Sequence, residues 1–369
     1  MSLQLSSENN VSDIGPLMYS GSVKNIFSSL TDCEKLYFQY SDAYSVFDWG
    51  RMPDLLQNKG RSLLSMAHTF FSLVENPQSW QRLYQQYPEL MTRFPQTLQK
   101  LIDGGLIHHA CFKNDKAVDF LTVDRVTVQR PSFDSDTGRY HYYPEGMANN
   151  RRVLIPLEVI FRWGTPAGSS LLKRTDNPEI RRQLGEVTIA PNVMFDRPLL
   201  EFSTKLEKED RLLTMDEAHW ISGLKQTQWT QFNDTAYLCA YLLKDFFAQT
   251  GIVLWDGKCE FASYYQQDGS WQLVLVDSIG PDELRLTRQG QLLSKEVLRD
   301  FYRHSEWYIE LERAKVQARN EHVQDWKKLC ALTPVPLPRT LKENAEAIYS
   351  DLARELKESL QRYQAQELL

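Results

Sequence analysis

The sequence predicts an α+β protein of two lobes. Three observations carry this expectation: short strands around a glycine turn open the chain, a long stretch of helical spacing follows, and strands and helices then alternate up to an amphipathic C-terminus. At 369 residues the chain can bury a large core, and its length suits about two structural lobes. The expected division is an N-terminal, mainly antiparallel β lobe over 1–155 with a helical insertion near 60–106, and a C-terminal α/β lobe over 156–369 that ends in a long helix.

Leu17 to Phe27 reads as strand, turn, strand around Gly21, and Lys35 to Tyr40 as a further strand. From Gly60 to Leu106 the apolar spacing turns helical, with Leu63, Leu64, Ala67, Phe70, Phe71 and Leu73 in its first part. Val118 to Val128 is strand-like, and Pro131 to Asn150, rich in Ser, Asp, Gly, Tyr and Asn, reads as a loop or hairpin. Leu154 to Arg162 is an apolar strand carrying one carboxylate, Glu158. Phe232 to Thr250 reads as a helix stopped by Gly251, which can take the left-handed cap conformation, and Ile252 begins a strand. Leu292 to Lys328 reads as largely helical until the prolines of Thr333 to Pro338 break it. Thr340 and Glu343 then form a capping-box signature. Leu341, Ala345, Ile348, Leu352, Leu356, Leu360 and Tyr363 line one face of the terminal helix, which is expected to pack on the body, although a partner helix could use the same stripe.

The composition is that of an ordinary globular protein, with 42% hydrophobic and 24% charged residues. A net charge of -6 supplies no global attraction for nucleic acid, and no basic aromatic stripe builds a local one. Cys33, Cys111, Cys239, Cys259 and Cys330 are scattered, odd in number and without a CxxC pair, so neither a zinc site nor a disulfide framework is expected, and a reducing cytoplasm fits best. The N-terminal MSLQLSSENN lacks the pattern of an export signal, and no apolar run approaches the roughly 20 residues that span a bilayer. Adjacent His108 and His109 on a strand would point to opposite faces and so read as structural rather than chelating.

Gly251 to Arg285 is the most informative stretch. Asp268-Gly269 between two hydrophobic runs signals a two-residue type I′ hairpin, which would pair Gln267 with Ser270 and set Glu260 directly across from Asp277. Facing carboxylates destabilise a sheet unless a positive charge sits between them, and magnesium takes one or two carboxylates together with substrate phosphates. Asp256, Lys258 and Glu260 alternate and therefore share a face, which puts a lysine beside the same site. On these residues alone the alternative stays open that both carboxylates are solvated strand ends, since a bulge would shift the register and undo the pairing.

Several segments, in order, resemble the SAICAR synthetase family of purine biosynthesis. They are YSGSVKNIF (Tyr19 to Phe27), SDAYSVFD (Ser41 to Asp48), GRSLLSMAHTFF after Gly60, IPLEVIFRWGTPAGSSLLKR (Ile155 to Arg174), RPLLEFSTKLEKED (Arg197 to Asp210), WDGKCEF (Trp255 to Phe261), DSIGPDELR (Asp277 to Arg285) and SKEVLRDF (Ser294 to Phe301). The resemblance spans most of the chain. It implies that family's two-lobed fold with the ATP site between the lobes, and a ligase that couples L-aspartate to the carboxylate of carboxyaminoimidazole ribotide through an acyl phosphate, releasing ADP and phosphate.

Carried over residue by residue, the resemblance implies that Gly21 and Lys24 contact ATP phosphates, Lys258 sits near the transferred phosphate, and Glu260 and Asp277 hold Mg2+. Glu158 resembles the acidic position beside the nucleotide ribose or base, and Lys205 and Asp210 lie in a further motif with nucleotide or metal contacts. Lys258, Asp42 and Asp210 are the candidate catalytic residues. Arg162, Ser169 and Arg285 would hold the ribotide, while Asp42, Ser45 and Asp48 would lie near the imidazole and amino-acid pockets. Ser22 replaces a lysine of the usual turn, Ser278 replaces an acidic residue, and one extra residue before Gly168-Ser169 leaves Ser169 or Ser170 as the ribotide contact.

The implied partners are small molecules alone: ATP, the ribotide and L-aspartate, with no nucleic acid or membrane, and with room for a homo-oligomer. Two other readings remain: a paralogue that joins another amine or carboxylate, and a kinase-like nucleotide-binding protein. No HRD-like loop, DFG, GxGxxG or GxxxxGKS occurs to support a kinase, a Rossmann enzyme or a P-loop NTPase.

Overall fold

The computed structural model describes residues 13–112, 119–134, 137–143, 151–185, 187–293, 295–321, 323 and 325–365. The readings of MSLQLSSENN, of Val118, of parts of Pro131 to Asn150 and of Ser294 fall outside these residues.

Along the chain, β1 (Ile14–Ser20), β2 (Lys24–Ser29) and β3 (Lys35–Tyr40) are followed by α1 (Lys59–Glu75), α2 (Pro77–Gln86), α3 (Glu89–Arg93) and α4 (Pro95–Gly104). Next come β4 (Leu121–Asp124), β5 (Ser132–Asp134), β6 (Arg139–His141), β7 (Arg152–Leu154), β8 (Leu157–Thr165), α5 (Pro178–Leu184) and β9 (Val193–Thr204). β10 (Leu212–Leu213), α6 (Met215–Ser222), α7 (Gln226–Ala248), β11 (Val253–Tyr265), β12 (Trp271–Val276), β13 (Leu284–Arg288) and β14 (Gln291–Leu293) lead to α8 (Lys295–Arg303), α9 (Glu306–Asn320) and α10 (Arg339–Ala365). The early strands, the helical stretch and the terminal helix all stand where the sequence puts them.

The residues group into two compact units. The first comprises 1–68, 109–125 and 294–355, and the second 69–108, 126–293 and 356–369. In the first, β1-β2-β3-β4 form an antiparallel sheet. In the second, the order β10-β9-β8-β11-β13-β14 makes an antiparallel sheet, with β12 and β7 also paired to β11. Helix α7 lies against β8, β9 and β11, burying Phe232, Ala236, Leu238, Leu242 and Phe246.

Four local expectations are corrected. The strand expected over Leu154 to Arg162 is two strands, β7 and β8, separated by Ile155-Pro156. Proline donates no ladder hydrogen bond, and the long β11 serves both pieces, pairing with β8 at Asp256–Cys259 and with β7 at Ala262–Tyr264. Leu292 belongs to β14 rather than to a helix, because Gln289 (φ 50) and Gly290 (φ 78) make the two-residue turn that pairs Arg288 with Gln291. Thr340 lies inside α10 rather than capping it, and Arg339 Nε donates to Glu343 at 2.7 Å instead.

The fourth correction concerns the central hairpin. Gln266, not Gln267, pairs with Ser270, and Glu260 stands opposite Val276, not Asp277. Gly269 takes φ 80 and its N–H donates to the Gln266 carbonyl at 3.0 Å, while Asp268 shows no positive φ. The connection is therefore a three-residue loop whose last residue is left-handed, which shifts the ladder by one. Asp277 lies just past β12 with φ 64.

Candidate functional site

Strand alternation gives the larger sheet one apolar and one charged face. On the apolar side Val159, Phe161, Phe202, Cys259 and Phe261 are buried, and Phe232 of α7 packs on Phe202 and Phe261 with ring centroids 5.7 and 5.4 Å away. Gly257 lies on that side because a Cβ there would come within 2.5 Å of the Phe161 ring. The other side carries Glu158 and Arg162 from β8, Glu201 and Ser203 from β9, and Asp256, Lys258 and Glu260 from β11. The register sets Glu158 beside Ser203, Ile160 beside both Glu201 and Lys258, and Arg162 beside Asp256.

At one end of this face the arginines gather. Arg162 Nε donates to Glu201 Oε2 at 2.6 Å, its Nη1 to Asp256 Oδ2 at 3.2 Å and its Nη2 to Ser170 Oγ at 3.4 Å. Arg174 grips both oxygens of Glu201, at 2.5 and 3.3 Å, and Arg285 Nη1 lies 3.5 Å from Asp256 Oδ2. Burial alone would raise Glu201, but Arg174 and Arg162 together more than offset it and hold the carboxyl below its ordinary range. Three guanidinium groups thus face two carboxylates at this end. Ser169 is buried and accepts the Leu171 N–H at 3.4 Å, whereas the exposed Ser170 is the hydroxyl beside Arg162.

At the other end the carboxylates prevail. Glu158 Oε1 accepts from Lys258 Nζ at 2.6 Å and Lys205 Nζ at 3.4 Å, and its Oε2 accepts from Ser203 at 3.3 Å. Lys205 also bonds Glu260. Burial would raise Glu158, yet the two ammonium groups hold it below the usual carboxylate range. For Glu260 the balance goes the other way: burial, with Asp277 and Glu158 adding to it, raises this carboxyl despite Lys205 and Lys258. Burial would lower both lysines, but Glu260, Asp277 and Glu158 raise Lys205, and Glu158 leads the raising of Lys258. Although Asp277 does not stand opposite Glu260, its charge acts on both Glu260 and Lys205. Two lysines against three carboxylates leave one negative charge.

The chemistry of this end suits a magnesium ion. The described residues hold no group of three or more His, Cys, Asp or Glu side chains arranged for a metal; two carboxylates such as Glu260 and Asp277 could hold an ion only with phosphates or water completing its shell. Magnesium is bound in that manner beside nucleotides.

Of the remaining expected residues, Gly21, Lys24, Asp42, Ser45 and Asp48 belong to the first unit and Asp210 to the second. The Gly21 N–H donates to the Lys24 carbonyl at 2.8 Å, closing the β1–β2 turn, and Lys24 Nζ sits 4.5 Å from the Phe38 ring centroid. Asp42 Oδ1 accepts the Gly60 N–H at 2.9 Å at the start of α1. A polar cavity of about 590 Å³ opens there, lined by Asp42, Arg51, Asn58, Arg61 and Asp119 among others. Ser45 and Asp48 do not line it: Ser45 is half-buried, and Asp48 is exposed and 3.1 Å from Lys315 Nζ. Phe47 (φ 54) and Asp48 (φ 62) are both left-handed, a conformation that costs about 1–2 kcal/mol per non-glycine residue. The Phe47 ring is held 4.6 Å from that of Tyr308. Asp210 is exposed in the loop between β9 and β10. His108 Nε2 lies 3.0 Å from Glu75, and His109 packs edge-on against Phe38.

The sequence matches the SAICAR synthetase family over residues 17–314. The chain belongs to that family. A protein of Archaeoglobus fulgidus provisionally named phosphoribosylaminoimidazole-succinocarboxamide synthase is 31% identical over 341 residues, covering 91% of this chain and 93% of its own. The synthase so named in Thermoplasma acidophilum is 30% identical over 317 residues, covering 83% and 89%. Among solved structures, the SAICAR synthase of Saccharomyces cerevisiae in complex with SAICAR shares the fold, with a TM-score of 0.52 at 18% identity over 96% of this chain and 97% of that one.

Within this family fold, sequence reasoning missed Glu201, which Arg162 bonds, and Arg174, which grips the same carboxylate, and underused Asp256, which bridges Arg162 and Arg285. Alternation was the available signal, since Asp256 shares the face of Lys258 and Glu201 lies four residues before Lys205. The cavity residues Arg51 and Asp119 carried no motif, and Arg61 was not singled out although it lies in the GRSLLSMAHTFF segment.

Proposed function

We infer that this member of the family is an ATP-dependent ligase that forms SAICAR from carboxyaminoimidazole ribotide and L-aspartate in purine biosynthesis. The observation that carries the reading is the single charged sheet face, with a positive surplus around Arg162 and a negative surplus around Glu260. The chemistry needs both. A carboxylate is a poor electrophile, so its oxygen first attacks the γ-phosphorus of ATP, breaking the bond to ADP. The amine nitrogen of aspartate then attacks the acyl phosphate, phosphate leaves with the bonding pair, and nitrogen loses its proton.

Arg162 and Arg285, steadied by Glu201 and Asp256, hold the ribotide phosphate through charge-assisted bonds, with Ser170 as the adjacent hydroxyl. Lys258 and Lys205 neutralise the transferring phosphoryl group, the largest contribution expected in such a step. Glu158 keeps both lysines protonated and aimed. Glu260 and Asp277 would hold magnesium, which supplies charge neutralisation for the nucleotide phosphates. The family resemblance gives Lys24 and the Gly21 turn as further phosphate contacts, and Asp210 lies in the β9–β10 connection, five residues after Lys205. The Asp42 cavity, walled by both arginine and aspartate side chains, suits L-aspartate, which brings two carboxylates and one ammonium.

Purified protein should release ADP only when the ribotide and L-aspartate are both present, and Lys258→Ala should lower turnover at least about 10²-fold while the fold survives. ADP release with another amine in place of aspartate would move the protein to a paralogous ligase. Undiminished turnover in Lys258→Ala would overturn the assigned site.

A further inference from the structure

The family match ends at residue 314, but the chain beyond it is fastened at five successive points to the segment 48–59, which is the end of the β3–α1 loop and the first residue of α1. Lys315 Nζ lies 3.1 Å from Asp48 Oδ2. The Trp326 ring packs 6.0 Å from that of Trp49. The Leu337 N–H donates to Asp54 Oδ2 at 2.7 Å, Glu346 Oε1 accepts the Gln57 N–H at 2.8 Å, and Lys59 Nζ sits 5.2 Å from the Tyr349 ring centroid. The order is collinear: as the later segment advances from 315 to 349, its anchor points advance from 48 to 59.

The fastened loop has little structure of its own. Between β3 and α1 it forms one isolated bridge, Ala43 with Leu55, and a few turn bonds. Phe47, Asp48 and Asn58 are left-handed at φ 54, 62 and 63, so the surrounding structure must over-determine the loop. A connection of this length without regular structure is ordinarily functional or disordered. Here Arg51, Leu55, Gln57 and Asn58 of this loop form walls of the cavity that contains Asp42.

We propose that residues 315–349 are a strap that sets the walls of the Asp42 cavity, with Lys315 and Glu346 as positioning residues for the substrate it takes. The inference rests on the reading of that cavity as the L-aspartate subsite. Neither side chain lines the cavity. Each acts through the loop, Glu346 on the backbone at Gln57 and Lys315 on the left-handed Asp48.

The test combines two readouts on the full chain. In Glu346→Ala and Lys315→Met, KM for L-aspartate should rise about tenfold while kcat and KM for ATP stay within about twofold, equivalent to roughly 1.4 kcal/mol of lost substrate binding. Glu346→Gln should restore KM, because its amide oxygen still accepts the Gln57 N–H. Arg339→Ala, which removes an exposed pair on the same segment, should change nothing. Hydrogen exchange of 48–59 in the unliganded protein, a measurement independent of the reaction, should quicken in Glu346→Ala and recover in Glu346→Gln. Unchanged exchange in both variants would overturn the strap. Faster exchange with an unaltered KM for aspartate would overturn its coupling to the cavity. If the wild-type protein fails to turn over, the proposed reaction falls, and the exchange result alone decides whether the strap stands.

Discussion

The two ends of the charged sheet face share the same three strands, β8, β9 and β11, with Arg174 and Arg285 added at one end and Lys205 and Asp277 at the other, yet they carry opposite surpluses. Around Arg162, three arginines meet Glu201 and Asp256; around Glu260, two lysines meet three carboxylates. On this face of β8 only Ile160 stands between Glu158 and Arg162. The difference teaches how one sheet can serve two charge demands. Arginine, rigid and always protonated, builds the anion end, where planar forks engage two carboxylates and can still turn toward a phosphate. Lysine, a compact point charge, builds the end at which phosphoryl charge moves and a metal would sit.

Removing the hub of the anion end should produce the larger effect. Arg162→Ala leaves the buried Glu201 and Asp256 each with one cation fewer, and KM for the ribotide should rise about 100-fold, a loss of about 2–3 kcal/mol. ADP affinity should stay as it is. Arg162→Lys should not restore the ribotide KM, because an ammonium cannot span Glu201, Asp256 and Ser170 together. A matching loss of ADP binding would erase the distinction between the ends.

A smaller effect sharpens the same comparison through pH. Glu260 has its carboxyl raised by burial and by Asp277, so between the ordinary carboxylate value and the raised one the folded state binds more protons than the unfolded chain. Stability contributed at this position therefore falls as pH rises through that window. Glu158 has the opposite sign: its folded value is lowered, so its contribution is full above the ordinary carboxylate range and is lost as pH falls through the lowered value. Glu260→Gln should then keep or raise Tm at neutral pH, and Glu158→Gln should lower it. Thermal melts from about pH 2 to about pH 8, which bracket the ordinary carboxylate value of about 4 on both sides, would check both signs.

Much of this was legible in the sequence. Strand alternation placed Asp256, Lys258 and Glu260 on one face, and Gly251 stops its helix at φ 67 as a C-terminal glycine should. The hairpin register was not legible. Asp-Gly permits a two-residue turn without imposing it, and the chain instead uses a longer loop at Gly269 and places its two-residue turn at Gln289-Gly290. After that one-residue shift Asp277 still acts electrostatically on Glu260, and it lies past the strand at φ 64, a conformation that no pattern of residue types announces. Glu201 was equally hidden, since its partner Arg174 comes from a neighbouring loop that periodicity does not place.

The most direct measurement is binding of Mn2+, as a paramagnetic stand-in for magnesium, to the protein with ADP, followed by electron paramagnetic resonance in wild type, Asp277→Asn, Glu260→Gln and Arg162→Ala. Affinity at least tenfold weaker in both carboxylate variants and unchanged in Arg162→Ala is the expected result. Equal affinity in all four proteins would contradict the assignment of the two ends.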